Sequence, residues 1–110
     1  MYKVRKSFEI SAAHKLTLDY DSKCENLHGH NWHVTVWCQS EELDNNSMVI
    51  DFCRIKDAAR ELDHANLNEL LPGNPTAENI ARFLAEKIGD KCYRVEVQES
   101  DGNSACWEAE

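Results

Sequence analysis

The sequence predicts an α+β domain in which two helices cover one face of a four-stranded antiparallel sheet. Two observations carry this prediction. Apolar and polar residues alternate over four stretches, and apolar residues recur at steps of three and four over two others. The predicted order is strand, strand, helix, helix, strand, strand. At about 150 residues per domain, residues 1–110 are expected to form a single domain, and no repeat or linker divides them.

Four alternating stretches are the predicted strands. They are residues 2–14, 28–39, 92–99 and 104–108. Asp101-Gly102-Asn103 joins the last two and is a hairpin-turn signal, so these strands are expected to pair with each other.

The two helices are predicted between the second and third strands. Asp51 and Thr76 are candidate N-caps because their side-chain oxygens can accept from the free N–H groups of a first helical turn. The first apolar stripe is Phe52, Ile55, Ala59 and Leu62, and the second is Ile80, Phe83, Leu84 and Ile88. Gly89 suits the position just after the second helix.

Composition excludes several classes of protein. Twelve basic and twenty acidic residues give a net charge of −8 without a basic tract, which disfavours nucleic-acid binding. No apolar run is long enough for a membrane span, and the basic start is not followed by the apolar stretch of a secretory signal. The five cysteines are odd in number and form no Cys-x-x-Cys pair, which indicates reduced thiols in the cytoplasm. Four are expected to pack in the core: Cys38, Cys53, Cys92 and Cys106.

Three histidines form a candidate metal site. His28 and His30 share one face of the second strand, because strand side chains repeat every two residues. If the first two strands pair antiparallel, His14 at the end of the first lies beside them. Three imidazoles with an open fourth position are the pattern of catalytic zinc. The His-x-His spacing alone could arise by chance. His14 on the matching face of the first strand favours a metal site. His33 lies on the opposite face and is therefore excluded as a ligand.

Cys24 lies four residues before His28, in the loop beside this site. A thiolate near a metal but not bound to it can act as a general base or nucleophile. It can equally be the fourth ligand of a closed structural site, and spacing leaves both interpretations open.

Two acidic positions add to the candidate site. Asp63-His64 follows the first helix and can form a proton relay, or His64 can be a cation favoured by the helix C-terminus. Glu99 ends the third strand on its apolar face, where a carboxylate needs a partner. The two adjacent N–H donors of an amino-pyrimidine would suit it, and a frayed strand end in water is the alternative.

Six blocks in order resemble the 6-pyruvoyltetrahydropterin synthase family, and more closely its bacterial 6-carboxy-5,6,7,8-tetrahydropterin synthase branch. The blocks are residues 8–14, 24–30, 49–52, 62–68, 74–79 and 97–100. The three residues between Cys24 and His28 match the arrangement of the carboxy branch, whereas the animal pyruvoyl synthases have a longer gap.

The resemblance implies a role for each matching residue. It implies that His14, His28 and His30 hold catalytic zinc and that Cys24 accepts a proton. Asp63 and His64 would be a relay, Glu99 the pterin anchor, and Thr76 and Glu78 contributors to the pterin pocket. Lys15 stands where relatives commonly have Arg, and with Lys23 it is the candidate contact for triphosphate.

The resemblance also implies a reaction and an assembly. The substrate would be 7,8-dihydroneopterin triphosphate, converted to 6-carboxytetrahydropterin with release of acetaldehyde and triphosphate, in queuosine biosynthesis. The family's tunnelling fold implies a homo-oligomer, a trimer-based ring or hexamer with active sites between subunits. Two alternatives remain: triphosphate elimination that stops at the 6-pyruvoyl product, and a non-catalytic zinc-stabilised module.

Overall fold

The computed structural model describes all 110 residues and consists of one sheet and two helices. The strands are β1 (Tyr2–His14), β2 (His28–Ser40), β3 (Ala65–Asn66), β4 (Cys92–Ser100) and β5 (Asn103–Glu108). The helices are α1 (Phe52–Ala58) and α2 (Ala77–Ile88), and single 3-10 turns lie at Lys23–Glu25, Arg60–Leu62 and Leu67–Glu69. Neither helix is long and apolar enough to span a membrane.

The sheet has five strands in the order β3-β1-β2-β4-β5. The four predicted strands are present and pair antiparallel, β1 with β2, β2 with β4, and β4 with β5. The prediction of a purely antiparallel four-stranded sheet is wrong, because β3 pairs parallel with β1 through Ala12↔Ala65 and Ala13↔Asn66. A strand of two residues is too short to show alternation in the sequence.

The alternating apolar residues of the strands form one core with the helices. From the sheet come Ile10, Trp32, Val34, Val36, Val95 and Val97, and from the helical segments come Ile55, Leu62, Ile80 and Leu84. These strand residues all lie on the face of the sheet that the helices cover. The other face of the sheet is therefore mainly polar.

Both predicted N-caps are confirmed. The Asp51 carboxylate accepts from the backbone N–H of Cys53 at 2.8 Å, and the Thr76 hydroxyl accepts from that of Asn79 at 3.2 Å. Gly89 ends α2 with a φ of 106°, in the region that favours glycine.

The first helix differs from its prediction. α1 ends at Ala58, and Leu62, predicted on its stripe, is buried from the 3-10 turn that follows. Phe52 is 49% exposed, because it lies in the first turn, before the buried part of the stripe begins at Ile55.

The cysteines fall into two groups. Cys38 and Cys92 are buried and directly opposite each other on β2 and β4, as expected of packing residues. The prediction is wrong for Cys53 and Cys106, which are exposed. Cys53 is exposed in the first turn of α1, and Cys106 pairs with Glu96 on the polar face of the sheet.

Candidate active site

The β1–β2 register brings the three predicted metal-binding histidines together. His14 lies opposite His28, and Ala12 lies opposite His30, so all three imidazoles project from the same face at one end of the sheet. Ring centroids are 4.6 Å apart for His14 and His28, 5.1 Å for His14 and His30, and 4.8 Å for His28 and His30. The three candidate ligand atoms lie within 4.8 Å of one another. We call these residues the histidine cluster.

Backbone carbonyls fix the orientation of two of these rings. His14 Nδ1 donates to the Pro75 carbonyl at 2.8 Å, and His28 Nδ1 donates to the Asn26 carbonyl at 2.6 Å. With the proton held on Nδ1, each neutral ring presents the lone pair of Nε2, an arrangement typical of metal-ligating histidines.

The histidine cluster fits a divalent metal ion. The Nε2 atoms of His14 and His28 are 3.1 Å apart, so two lone pairs face each other without a proton between them when both rings are neutral. The buried Nε2 of His30 has no hydrogen-bond partner. A cation bound to all three nitrogens would remove the repulsion and satisfy the third atom.

Burial favours the ligand form of His14. The side chain is almost fully buried, and this desolvation lowers its pKa, with His28 and His30 lowering it further against the opposing hydrogen bond to Pro75. The charge of Glu99 also raises this pKa, but the net shift is downward and favours the neutral ring, the form that binds a metal.

Trp32, which sequence reasoning did not single out, lies beneath the histidine cluster. Its ring meets His14 edge to face at 4.9 Å and His30 at 5.2 Å, and its indole N–H donates to the Ala12 carbonyl at 3.1 Å. Trp32 is two residues after His30 on β2, so its side chain lies on the same face as His28 and His30. The sequence could have predicted this contact from the strand period alone.

Glu99 connects the histidine cluster to a neighbouring cavity. Its Oε1 atom is 3.3 Å from His14 Nε2 and 3.5 Å from His30 Nε2. Glu99 also lines a cavity of about 340 Å³ together with Thr76 and Glu78. The three residues predicted for the pterin pocket thus line one cavity, whose remaining wall includes Leu16 and the β4–β5 turn.

Cys24 lies in the 3-10 turn before β2. The Ser22 hydroxyl caps this turn by accepting from the Cys24 N–H at 3.1 Å, and the residue is partly buried. The cluster of candidate ligand atoms consists of the three histidines and does not include the Cys24 thiol. Lys15 and Lys23 are exposed in the same loop.

Asp63 and His64 do not line the cavity of Glu99. One Asp63 oxygen accepts from the Ser11 N–H at 2.9 Å and is 3.7 Å from His64 Nε2, too far for a hydrogen bond. The His64 side chain is 82% exposed, and its backbone has a φ of 59°. His64 lines a second cavity, of about 520 Å³, with Ser11 and Asn31 from the polar face of the sheet and with His30 of the histidine cluster.

Comparison with known proteins identifies the family. The profile described as 6-pyruvoyl tetrahydropterin synthase matches residues 3–110. This chain belongs to that family. The resemblance drawn from the six sequence blocks is therefore confirmed.

Relatives in the 6-pyruvoyl tetrahydropterin synthase family carry more than one activity name. The 6-carboxy-5,6,7,8-tetrahydropterin synthase of Synechocystis sp. is 32% identical over 119 residues, covering 96% of this chain and 92% of that protein. The dihydroneopterin monophosphate aldolase of Pyrococcus furiosus is 38% identical over 88 residues, or 76% of this chain and 70% of that protein. A relative from Pyrococcus horikoshii is 39% identical over 56 residues, 51% of this chain and 35% of that protein.

The fold agrees with the family as well. The solved structure of 6-pyruvoyl tetrahydropterin synthase from Caenorhabditis elegans superposes with a TM-score of 0.77 at 25% identity. The superposition covers 99% of this chain and 96% of that chain, so the five-stranded sheet and both helices lie within the shared fold.

Proposed function

We propose that this protein is a zinc-dependent lyase that converts 7,8-dihydroneopterin triphosphate and one water molecule to 6-carboxy-5,6,7,8-tetrahydropterin, acetaldehyde and triphosphate. One observation carries the proposal: three imidazole nitrogens converge beside Glu99, which also lines a cavity with Thr76 and Glu78. Metal ligands and a carboxylate that can anchor a heterocycle are therefore side by side.

The cavity suits the bicyclic end of a pterin. Its volume of about 340 Å³ is in the range of small-molecule sites. The Glu99 carboxylate can accept two hydrogen bonds from the adjacent N–H groups of an amino-pyrimidine edge. The negative charge of the carboxylate strengthens both bonds. Thr76 retains its hydroxyl proton as a donor, since its oxygen is the acceptor of the α2 cap. Lys15 and Lys23 are the candidate contacts for the triphosphate.

Zinc held by the histidine cluster would supply Lewis-acid chemistry by polarising oxygen atoms of the substrate side chain. The chain's own residues do the proton transfers. Cys24, outside the ligand set, accepts the proton from a side-chain carbon of the substrate, and loss of triphosphate and cleavage of a carbon–carbon bond follow. His64, oriented by Asp63, passes a proton on the other side of the substrate.

The placement of His64 supports an active site shared between protomers in a trimer-based ring or hexamer. The residue is exposed above the polar face of the sheet, away from the cavity of Glu99. That face carries the hydrogen-bonded pairs Ser7–Thr35 and Ser11–Asn31, which suit a polar lumen. Pairing of free sheet edges between copies would also protect them from aggregation.

Two further aspects of the proposal concern the cellular role. The product would feed synthesis of the 7-deazaguanine precursor of queuosine. The free thiols of the five cysteines suit a reducing compartment, so we place the protein in the cytoplasm.

A second candidate function is aldol cleavage of dihydroneopterin monophosphate, which the 38% identity to the Pyrococcus furiosus aldolase favours. A third is the 6-pyruvoyl synthase reaction, with triphosphate elimination but no carbon–carbon cleavage. The three-residue spacing between Cys24 and His28 favours the carboxy branch over that third reaction.

Product analysis separates these candidates. Zinc-loaded protein is incubated with 7,8-dihydroneopterin triphosphate and, separately, with the monophosphate, and products are identified by mass spectrometry. We expect acetaldehyde and 6-carboxytetrahydropterin from the triphosphate. A 6-pyruvoyl product, or turnover confined to the monophosphate with release of glycolaldehyde phosphate, would assign one of the other reactions. No turnover of either compound would favour the non-catalytic module.

A further inference from the structure

The segment after β1 keeps the alternating backbone pattern of a strand. In extended chain, the N–H and C=O of one residue point to the same edge, and those of the next residue point to the opposite edge. Residues 15 and 17 direct their backbone groups to the edge that β3 occupies, and residue 16 directs its N–H to the edge that β2 occupies.

Two asparagine side chains take the place of a neighbouring strand along the first edge. Asn68 accepts from the Lys15 N–H and donates to the Lys15 carbonyl, both at 2.8 Å. Asn74 does the same with Thr17, both at 2.7 Å. A primary amide presents an acceptor and a donor side by side, as a peptide unit does, so each asparagine closes a two-bond pair with the backbone.

The two asparagines are themselves held in place. The Asn66 side chain accepts from the Asn68 N–H at 3.0 Å, and the Asn79 side chain, in the first turns of α2, donates to the Asn74 carbonyl at 2.7 Å. The next carbonyl along the chain, that of Pro75, holds the ring of His14.

The opposite edge of the segment holds the loop of Cys24. The Leu16 N–H donates to the Cys24 carbonyl at 2.9 Å. Leu16 also lines the cavity of Glu99. It lies between Lys15 and Thr17, the two residues that the asparagines hold. Movement of residues 15–17 would therefore shift Cys24 relative to the histidine cluster.

We propose that Asn68 and Asn74 are positioning residues: their amides clamp residues 15–17, and through Leu16 they set the position of the Cys24 thiol relative to the histidine cluster. This inference rests on the proton-transfer role proposed for Cys24. It also gives each residue of the Asn-Pro-Thr sequence at 74–76 a structural role. Asn74 holds residue 17, the Pro75 carbonyl holds the His14 ring, and Thr76 caps α2.

The test replaces each side-chain amide by a carboxylate of the same shape. Asn68→Asp and Asn74→Asp keep the acceptor for the backbone N–H, but they replace the donor with an oxygen that faces a carbonyl. Asn45→Asp is the matched control, since it makes the same charge change at an exposed turn residue beyond the far end of β2.

We expect kcat to fall about 10- to 100-fold in both clamp variants, because small misplacements of a reacting group have effects of that size. KM and zinc content should change little, and Asn45→Asp should resemble the parent protein. The second readout is brief alkylation with iodoacetamide, with peptides quantified by mass spectrometry. The rate at Cys24 relative to exposed Cys53 should change by about threefold or more, because access and environment set thiol reactivity.

Two results would overturn the proposal. One is unchanged kcat in the folded clamp variants, and the other is a lower kcat with an unchanged Cys24 to Cys53 alkylation ratio, which would indicate general destabilisation. If the parent protein turns over no pterin, the proposed function fails, but the alkylation ratio still tests the clamp.

Amide hydrogen exchange on the unmodified protein tests the clamp even if neither variant folds. The amides of Lys15, Leu16 and Thr17 should exchange about 100-fold or more slowly than in an unstructured peptide, since each is hydrogen-bonded. Fast exchange at these three positions would contradict the proposal.

Discussion

Replacement of His30 by alanine is expected to remove zinc binding and turnover together. The Nε2 atom of His30 is buried, has no hydrogen-bond partner and lies 3.5 Å from Glu99 Oε1, so it is free to bind a metal ion. Loss of a direct ligand should weaken zinc binding by more than the roughly 10- to 100-fold caused by loss of an outer hydrogen-bond partner. Zinc content after dialysis against a chelator, followed by the rate of pterin turnover, provides the measurement.

His33→Ala is the matched control for this change. His33 is three residues further along β2 but on the opposite face, where it forms an exposed pair with Glu9 at 3.1 Å. The control should retain both zinc and activity. Equal zinc loss in the two variants, or full zinc content in His30→Ala, would refute the assignment of the histidine cluster.

Replacement of Cys24 by serine is expected to reduce kcat by about 10²- to 10⁴-fold, the usual contribution of a positioned general base. Zinc content should stay unchanged, because Cys24 is outside the ligand cluster. Cys53→Ser is the control, since that thiol is exposed on α1. Reduced zinc content in Cys24→Ser would make this residue a ligand and contradict its role as the base.

Mixing of variants extends this prediction to the assembly. If Cys24 of one protomer acts with His64 of another, Cys24→Ser and His64→Ala proteins are each inactive but should regain activity after subunit exchange. In a mixed ring, some sites combine an intact Cys24 with an intact His64. A monomeric mass, or no recovery after demonstrated exchange, would contradict the shared site.

The sequence was sufficient to predict the histidine cluster for a specific physical reason. Strand periodicity places His28 and His30 on one face, and antiparallel pairing of consecutive strands then brings His14 beside them. The observed register, with His14 opposite His28, follows from the same alternation that buries Ile10 and Trp32. Period and parity are local properties that can be counted along the chain.

The features that the sequence did not predict depend on contacts between distant residues. β3 has two residues and is defined by its pairing with β1 rather than by its own pattern. Asn68 and Asn74 look like ordinary loop residues until the fold brings them to the backbone of residues 15 and 17. His64 likewise lines a different cavity from Glu99, a placement that depends on the folded chain and not on a local sequence pattern.

X-ray absorption at the zinc edge tests the central claim most directly, because it reports the atoms bound to the metal. An open site on the histidine cluster predicts nitrogen and oxygen neighbours at about 2.0–2.1 Å, imidazole scattering from three rings, and no sulfur. A sulfur neighbour at about 2.3 Å would place Cys24 on the metal. It would indicate a closed structural site and contradict the account of this protein as a pterin lyase.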